Sequence, residues 1–407
     1  AGACVPPRHP RAGARHRLRR ALARGSRGDP GDALQRVLRA QPGFVQGGVH
    51  RRELGPRAAQ YESEARFPRE VFSTLGASGL LGLPYSQRWG GAEVGYSDYL
   101  QVLEILARRW LTVALGVSVH TLSCHALATA GSDEQRDRWL PDMLGGDLLG
   151  AYCLSEPQSG SDAAGLSTSA TRDGDEYVLK GTKAWITHGG VADFYTVMTR
   201  TSADRTAGIT AFLVPGDAAG VSAAAPERKM GMRGSVTAQV ILEDVRVPTS
   251  RRLGEEGSGF RIALNALDSG RLGIAACAVG LAQGALDTAV EYATARQQFG
   301  SPIATFQGVS FTLADMATGI AAGRALYLDA ARRRDAGEAF STQAAMAKLF
   351  CTDMAMAVTT SAVQVLGGAG YVEDYPVERY MREAKVLQIV EGTNEIQRLV
   401  IGRALTQ

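Results

Sequence analysis

Glu391 is the carboxylate in this sequence best suited to act as a base. It follows Ile389 and Val390 and precedes Gly392, in the run IVEGTNEIQR. A carboxylate held among apolar groups ionises with difficulty, so its pKa rises and it can take a proton near neutral pH. Read by itself, the residue is more simply a helix-capping Glu.

Four further segments carry residues that could hold a ligand. AYCLSEPQSGSDAAG (151–165) reads as a strand running into a turn rich in Ser and Gly. Such a turn presents backbone N–H groups and hydroxyls to a heteroaromatic ring or a phosphate; a plain β-turn with an Asp cap explains it equally well. GTKAWITHGG (181–190) follows about 30 residues after the start of the first and places Trp185, Ile186 and Thr187 in a strand, where a Trp is usually core. YATARQQFGSPIATFQ (292–307) ends a helix near Arg296 at Phe299–Gly300, and Pro302 prevents its return. An Arg beside Gly at a helix end suits a pyrophosphate, although most such arginines are merely solvated. QVLGGAG (364–370) allows close backbone approach to a ligand, or caps a helix.

The elements that must position these residues change character twice. From about Asp32 to Gly150 the periodicity predicts helices. Phe44, Val45 and Val49 recur at helical spacing, followed by Phe67–Leu80 ending at Gly82, Tyr96–Ala114, Val117–Ala130, and Asp133–Leu140 stopped by Pro141 with Ser132 as its N-cap. From Ala151 to Pro248 short β-branched or alternating runs predict antiparallel strands at Tyr177–Trp185, Phe194–Arg200, Gly208–Val214 and Thr237–Val247. After Gly257 long apolar-periodic helices return at Gly259–Arg296, Gln307–Ala336, Ser341–Gly367 and Val377–Ile389, long enough to form a bundle. The expected organisation is an Arg-rich head over 1–28, a helical domain over 29–150, a β domain over 151–250 and a helical bundle over 251–407.

The net charge of +3 over 407 residues misleads. Residues 1–28 hold eight Arg and no acid, and the remainder has 36 Lys and Arg against 41 Asp and Glu, a net −5. The body is therefore mildly acidic and gives no support for nucleic-acid binding. The head reads as a disordered or non-native tail in preference to a transit segment; five Lys against 39 Arg fits GC-rich coding. No charge-free apolar run of about 18 residues stands out, so no membrane span is expected. The five cysteines are scattered without a CxxC pair, which points away from a metal site or disulfide scaffold and toward a reducing, cytoplasmic compartment; a mitochondrial matrix location follows if the head is a transit segment.

Together the five segments resemble the acyl-CoA dehydrogenase family over about residues 42–405. Cys153–Gly165 is similar to one family signature, with Glu156, Gly160, Ser161 and Asp162 in place. Gln364–Glu383 is similar to a second, with Gly367, Gly368, Gly370, Asp374, Arg379 and Glu383 in place, and Arg228–Pro248 between them is also typical. The resemblance implies a mainly α fold with a central antiparallel β domain between an N-terminal helical domain and a C-terminal four-helix bundle. It implies noncovalent FAD in a homotetramer built as a dimer of dimers, with an acyl-CoA substrate and an electron-transfer flavoprotein as acceptor. Tyr152, Leu154, Ser155, Gly160, Ser161, Trp185, Ile186 and Thr187 would flank the flavin. Thr393, Asn394 and Glu395 would also touch it. Arg296, Gln298, Phe299, Gln307, Gln364, Val365, Leu366, Gly367 and Gly368 would reach the FAD of a neighbouring subunit. Ser161, Asp268, Arg271, Gly392 and Arg403 would hold the acyl-CoA.

Glu391 would then be the base that removes the proton beside the thioester. Some relatives carry that base on the helix with LDSGR, at the position here held by Gly270, so Glu391 has no competitor. Two departures stand out. Val390 replaces the Tyr usual before this Glu, which hints at branched or bulky acyl groups. His188 replaces the Asn usual after Trp-Ile-Thr, either near the flavin edge or as a satisfied surface His. An acyl-CoA oxidase is a second reading, for which the chain is short; a nitroalkane-oxidase-like enzyme would want Asp at 391; a silent flavoprotein scaffold would not need Glu391.

Overall fold

The computed structural model describes residues 54–406, so the Arg-rich head and the Phe44–Val49 helix lie outside the described residues. Its first part is helical: α1 (Gly55–Ser63), α2 (Arg69–Ala77), α3 (Tyr96–Ala107), α4 (Leu111–Ala130) and α5 (Asp133–Gly145). The single helix expected over Tyr96–Ala114 is two, because Trp110 adopts an extended conformation at the start of α4. Ser132 caps α5 as expected, its hydroxyl accepting from the Gln135 amide while the Gln135 side chain accepts from the Ser132 amide. Pro141 does not stop α5. It sits inside the helix, which runs on to Gly145.

Eight strands follow: β1 (Gly150–Cys153), β2 (Ser169–Asp173), β3 (Glu176–Thr187), β4 (Phe194–Arg200), β5 (Ile209–Pro215), β6 (Val221–Ala223), β7 (Thr237–Pro248) and β8 (Arg252–Leu253). They form one sheet in the order β6-β7-β3-β2-β4-β5-β8, with β1 also paired to β4. Most pairs are antiparallel, as expected, but β4 runs parallel to both β1 and β2. β4 and β5 are buried without alternation because both faces are covered. Phe194, Met198, Ile209 and Leu213 pack toward α4 and α5, while Tyr195, Val197, Phe212 and Val214 fill the other side.

The third part is α6 (Gly259–Ala295), α7 (Gln307–Asp335), α8 (Ser341–Leu366), the short α9 (Gly368–Tyr371), α10 (Val377–Leu387) and α11 (Asn394–Thr406). α6, α7, α8 and α10 share one apolar core with α1 to α4, so the first and third parts are a continuous helical body. The α-β-α order and the mainly α class agree with the sequence. The expectation of no charge-free apolar run does not hold for α4, which has no Asp, Glu, Lys or Arg over 20 residues. By length and composition α4, α6 and α8 could each cross a membrane. The apolar stretches of α4 and α6 are mostly buried within the molecule, whereas that of α8 is 44% buried. The four described cysteines are free and buried.

Candidate active site

Glu391 lies in the turn between α10 and α11, with φ of 56°. That left-handed conformation costs a non-glycine residue roughly 1–2 kcal/mol, and such strain is retained where the surroundings impose it. The imposing group is Gln397, one turn into α11. Its fully buried amide Nε2 donates to the carbonyls of Glu391 (3.3 Å) and Gly392 (2.8 Å). A Cβ on Gly392 (φ 86°) would lie 2.9 Å from that same Nε2, which is the structural reason for the glycine. Thr393 caps α11, its hydroxyl accepting from the Ile396 amide. Asn394 faces inward: its Oδ1 accepts from Lys348 Nζ (2.8 Å), and its Nδ2 donates to Thr352 and Asp353. The turn is therefore pinned from both ends before any ligand arrives.

The Glu391 side chain points at α6. A Cβ built on Gly270 would meet Oε2 at 2.7 Å and Cδ at 3.1 Å, and the Leu122 methyl at 3.5 Å. Oε2 is buried and accepts no hydrogen bond. Burial pushes the carboxyl up to about 7, and the cations Arg271 and Lys348 pull it back only in part. Arg271 is itself engaged with Asp268 (2.7 Å). Lys348, fully buried, is held down to about 8 by its own burial against the opposing pull of Glu391. Lys348 and Gln397 were not singled out from sequence; a lysine and a glutamine inside apolar helical stretches were the available signals.

Three of the predicted segments converge here. Tyr152 on β1 has a buried hydroxyl with no partner, and the Glu391 carboxylate helps hold that hydroxyl in its neutral form, after burial itself. Leu154 and Ser155 continue β1 beside β3, where the Ala184 amide donates to the Ser155 carbonyl (2.9 Å). β3 bulges between Lys183 and Ile186, and Trp185 takes φ of 62°. The bulge turns the indole outward, 65% exposed, between the buried Ala184 and Ile186. This Trp is not core. Thr187 ends the strand at the same edge, and Gly160 and Ser161 are exposed in the loop after β1. An exposed indole, free hydroxyls at Ser161 and the open backbone of Gly160 fit a flat, hydrogen-bonding heteroaromatic group.

Other predicted residues lie on the third part of the chain, most of them exposed. Arg296, Gln298, Phe299 and Gln307 are exposed on the link between α6 and α7, Phe299 by 96%. Gln364, Gly367 and Gly368 are exposed at the end of α8, Val365 is half-buried, and the Leu366 side chain belongs to the core, leaving its backbone alone for a ligand. Glu395 and Arg403 are exposed at the two ends of α11. His188 is not a surface residue: it is buried between Phe67 and Phe72, its Nδ1 paired with the Gly150 carbonyl at 2.9 Å. Burial lowers its pKa to about 4, so the ring is neutral and structural.

Models of the acyl-CoA dehydrogenase N-terminal, middle and C-terminal domains match residues 48–147, 151–245 and 257–406. The chain belongs to the acyl-CoA dehydrogenase family. An acyl-CoA dehydrogenase of Bacillus subtilis is 43% identical over 357 residues, covering 87% of this chain and 94% of the relative. The butyryl-CoA dehydrogenase of Megasphaera elsdenii superposes with a TM-score of 0.89 at 39% identity, over 94% of this chain and 100% of the other. A glutaryl-CoA dehydrogenase of Mycobacterium smegmatis in complex with FADH2 matches with a TM-score of 0.85 at 32% identity, over 93% and 95%. This acyl-CoA dehydrogenase is accordingly an oxidoreductase and an FAD flavoprotein.

Proposed function

We propose that this acyl-CoA dehydrogenase oxidises the Cα–Cβ bond of an acyl-CoA thioester to the trans-2-enoyl-CoA, with Glu391 as the base, in fatty-acid or branched-chain amino-acid catabolism. The observation that carries the reading is the unpartnered Oε2 of Glu391, buried against Gly270 with its carboxyl raised to about 7. A base needs an unengaged lone pair and a pKa near the working pH, and this oxygen has both.

The turn after α10 offers the Glu391 backbone N–H for the thioester carbonyl, and a hydrogen bond there stabilises enolate character and acidifies Cα–H. Glu391 takes that proton. Bound FAD supplies the acceptor for the hydride that leaves Cβ with its electron pair. Tyr152, Leu154, Ser155, Gly160, Ser161, Trp185, Ile186 and Thr187 would hold the flavin, with Thr393, the Asn394 backbone and Glu395 beside it. Ser161, Asp268, Arg271, Gly392 and Arg403 would serve the acyl-CoA. Val390, partly buried against the helical core, leaves more room beside the thioester than an aromatic ring would.

Arg296, Gln298, Phe299, Gln307 and the 364–368 segment would reach the FAD of a second subunit in a homotetramer. Exposed Phe299, Phe311, Leu326 and Phe350 on or beside α7 and α8 support an assembly covering that face. An electron-transfer flavoprotein would reoxidise the enzyme, and bacterial relatives such as that of Bacillus subtilis support a cytoplasmic location. The test is anaerobic mixing of the holoenzyme with an acyl-CoA panel. Loss of the yellow flavin absorbance with formation of enoyl-CoA is expected. No bleaching by any acyl-CoA overturns the reading, and oxygen consumption without an added acceptor makes the protein an oxidase.

A further inference from the structure

The cavity beside Gly270, the residue that the Glu391 side chain faces, is not lined as a pocket for an unsubstituted hydrocarbon would be. Gly270, against which the Glu391 carboxylate lies, also lines a cavity between α3, α4, α6 and α7. Its wall includes Tyr85, Tyr96, Ser118, Thr121, His125, Ser269 and Arg334. Apolar tails are recognised by apolar walls, so this many polar groups call for an account.

Arg334 is the informative one. It is half-buried, its guanidinium carbon stands 3.8 Å over the Tyr96 ring, and Nε donates to Ser269 Oγ (3.2 Å). Among the described residues it pairs with no carboxylate, whereas its neighbour Arg333 pairs with Asp329 and Glu338. The next residue, Asp335, is spent on the backbone amides of Tyr96 and Ser97. Arg334 therefore keeps both terminal nitrogens as unspent donors. The other polar groups do not neutralise it. The Tyr85 and Tyr96 hydroxyls donate to the backbone carbonyls of Thr121 and Ser269. His125 is held neutral, its pKa lowered to about 4 by burial and then by Arg334 itself. A partly desolvated cation with idle donors is costly unless something anionic meets it.

We propose that the acyl group of the substrate ends in a carboxylate that pairs with Arg334 while its Cα–H faces Glu391. This rests on the dehydrogenase reading above and narrows it to ω-carboxyacyl thioesters, with Arg334 as the specificity-determining residue. The cavity wall carries the unpaired Arg334 together with Gly270, the residue against which the Glu391 carboxylate lies, so one cation is available to the substrate tail on the side where Glu391 approaches.

The experiment compares the holoenzyme on matched series of unsubstituted and ω-carboxy acyl-CoAs of increasing length, scored by kcat/KM and by anaerobic flavin bleaching. The wild type should favour the ω-carboxy member at its best length by about tenfold or more, and Arg334→Met should lower that ratio by about 30-fold or more, with Arg334→Lys recovering part of it. A wild-type preference for the unsubstituted series, or a ratio that Arg334→Met does not move, overturns the proposal and leaves the dehydrogenase reading intact. Bleaching by neither series overturns the dehydrogenase reading itself. Should Arg334→Met fail to fold, the wild-type ratio and Arg334→Lys decide the matter.

Discussion

Two buried carboxylates, Glu391 in the helical body and Glu156 in the β domain, show opposite uses of burial. Glu156 is buried, Glu391 keeps its Oε2 buried, and burial pushes the pKa of both upward. Glu156 accepts from Lys183 Nζ (2.8 Å), the Thr168 and Ser167 amides, the Ser167 hydroxyl and Gln158. Those donors more than offset its burial and hold it at about 2. Glu391 meets only two more distant cations, keeps one oxygen unpartnered and rises to about 7. Burial alone does not make a base. A buried carboxylate denied donors has the raised pKa that the proposed base needs, and a buried carboxylate given five is a charged anchor, here fastening the loop after β1 to β3.

Substitutions at the two sites should break in different currencies. Glu391→Gln should lower substrate-driven flavin reduction by roughly 10²–10⁴-fold, the usual span of general base catalysis, without loss of FAD. Stopped-flow reduction measures it, and retention of more than a few per cent would move the base elsewhere. Lys183→Met should cost stability instead of chemistry. Removing one partner of a buried pair costs about 3–5 kcal/mol, so denaturant unfolding should shift strongly. A shift below about 1 kcal/mol would mean that the remaining donors to Glu156 suffice.

Gly270→Ala sharpens the contrast at lower amplitude. Its methyl would press within 2.7 Å of Glu391 Oε2, and crowding of that kind costs about 1–3 kcal/mol. Flavin reduction should fall about tenfold while FAD content holds. Undiminished reduction would show that Glu391 swings away from α6 in the working state.

The smallest effect is the dependence on pH, and its sign differs between the sites. Glu156 has a folded pKa below its unfolded value, so it contributes stability above about pH 4.5 that is lost as the pH falls toward about 2. Glu391 has a folded pKa above its unfolded value. It stabilises the fold most below about pH 4.5, and that contribution is lost as the pH rises through about 7. Activity runs the other way at Glu391, because only the ionised form is a base, so flavin reduction should decline below about pH 7. Comparing melting curves of the wild type, Glu391→Gln and Lys183→Met across pH separates the two. The same slope in both variants would remove the distinction.

Much of this was legible in the sequence. Hydrophobic periods of two and near 3.6 set out the helix–strand–helix order, and Ser132 with Gln135 three residues on announced the start of α5. Where the reading slipped, a tertiary contact outweighed a local preference. Pro141 is carried inside α5 by packing of Leu140, Met143 and Leu144 against the sheet. Trp185, which composition assigns to a core, is turned out by a bulge in its pairing with β7. The buried strand β4 runs parallel to two neighbours, a pairing direction that no residue pattern encodes.

The sequence by itself determined the candidates, a Glu at 391 and a Gly at 270, and the proposal of Glu391 as the base rests on the family resemblance that the flanking motifs carry. Only the tertiary structure decided that the two meet, that Oε2 has no donor, and that Lys348, Gln397 and Arg334 surround the site. Those residues come from α7, α8 and α11, and nothing in their local patterns records the distances between them. A pKa depends on burial and on charges within a few ångströms, and both are properties of packing that exist only once the chain has folded.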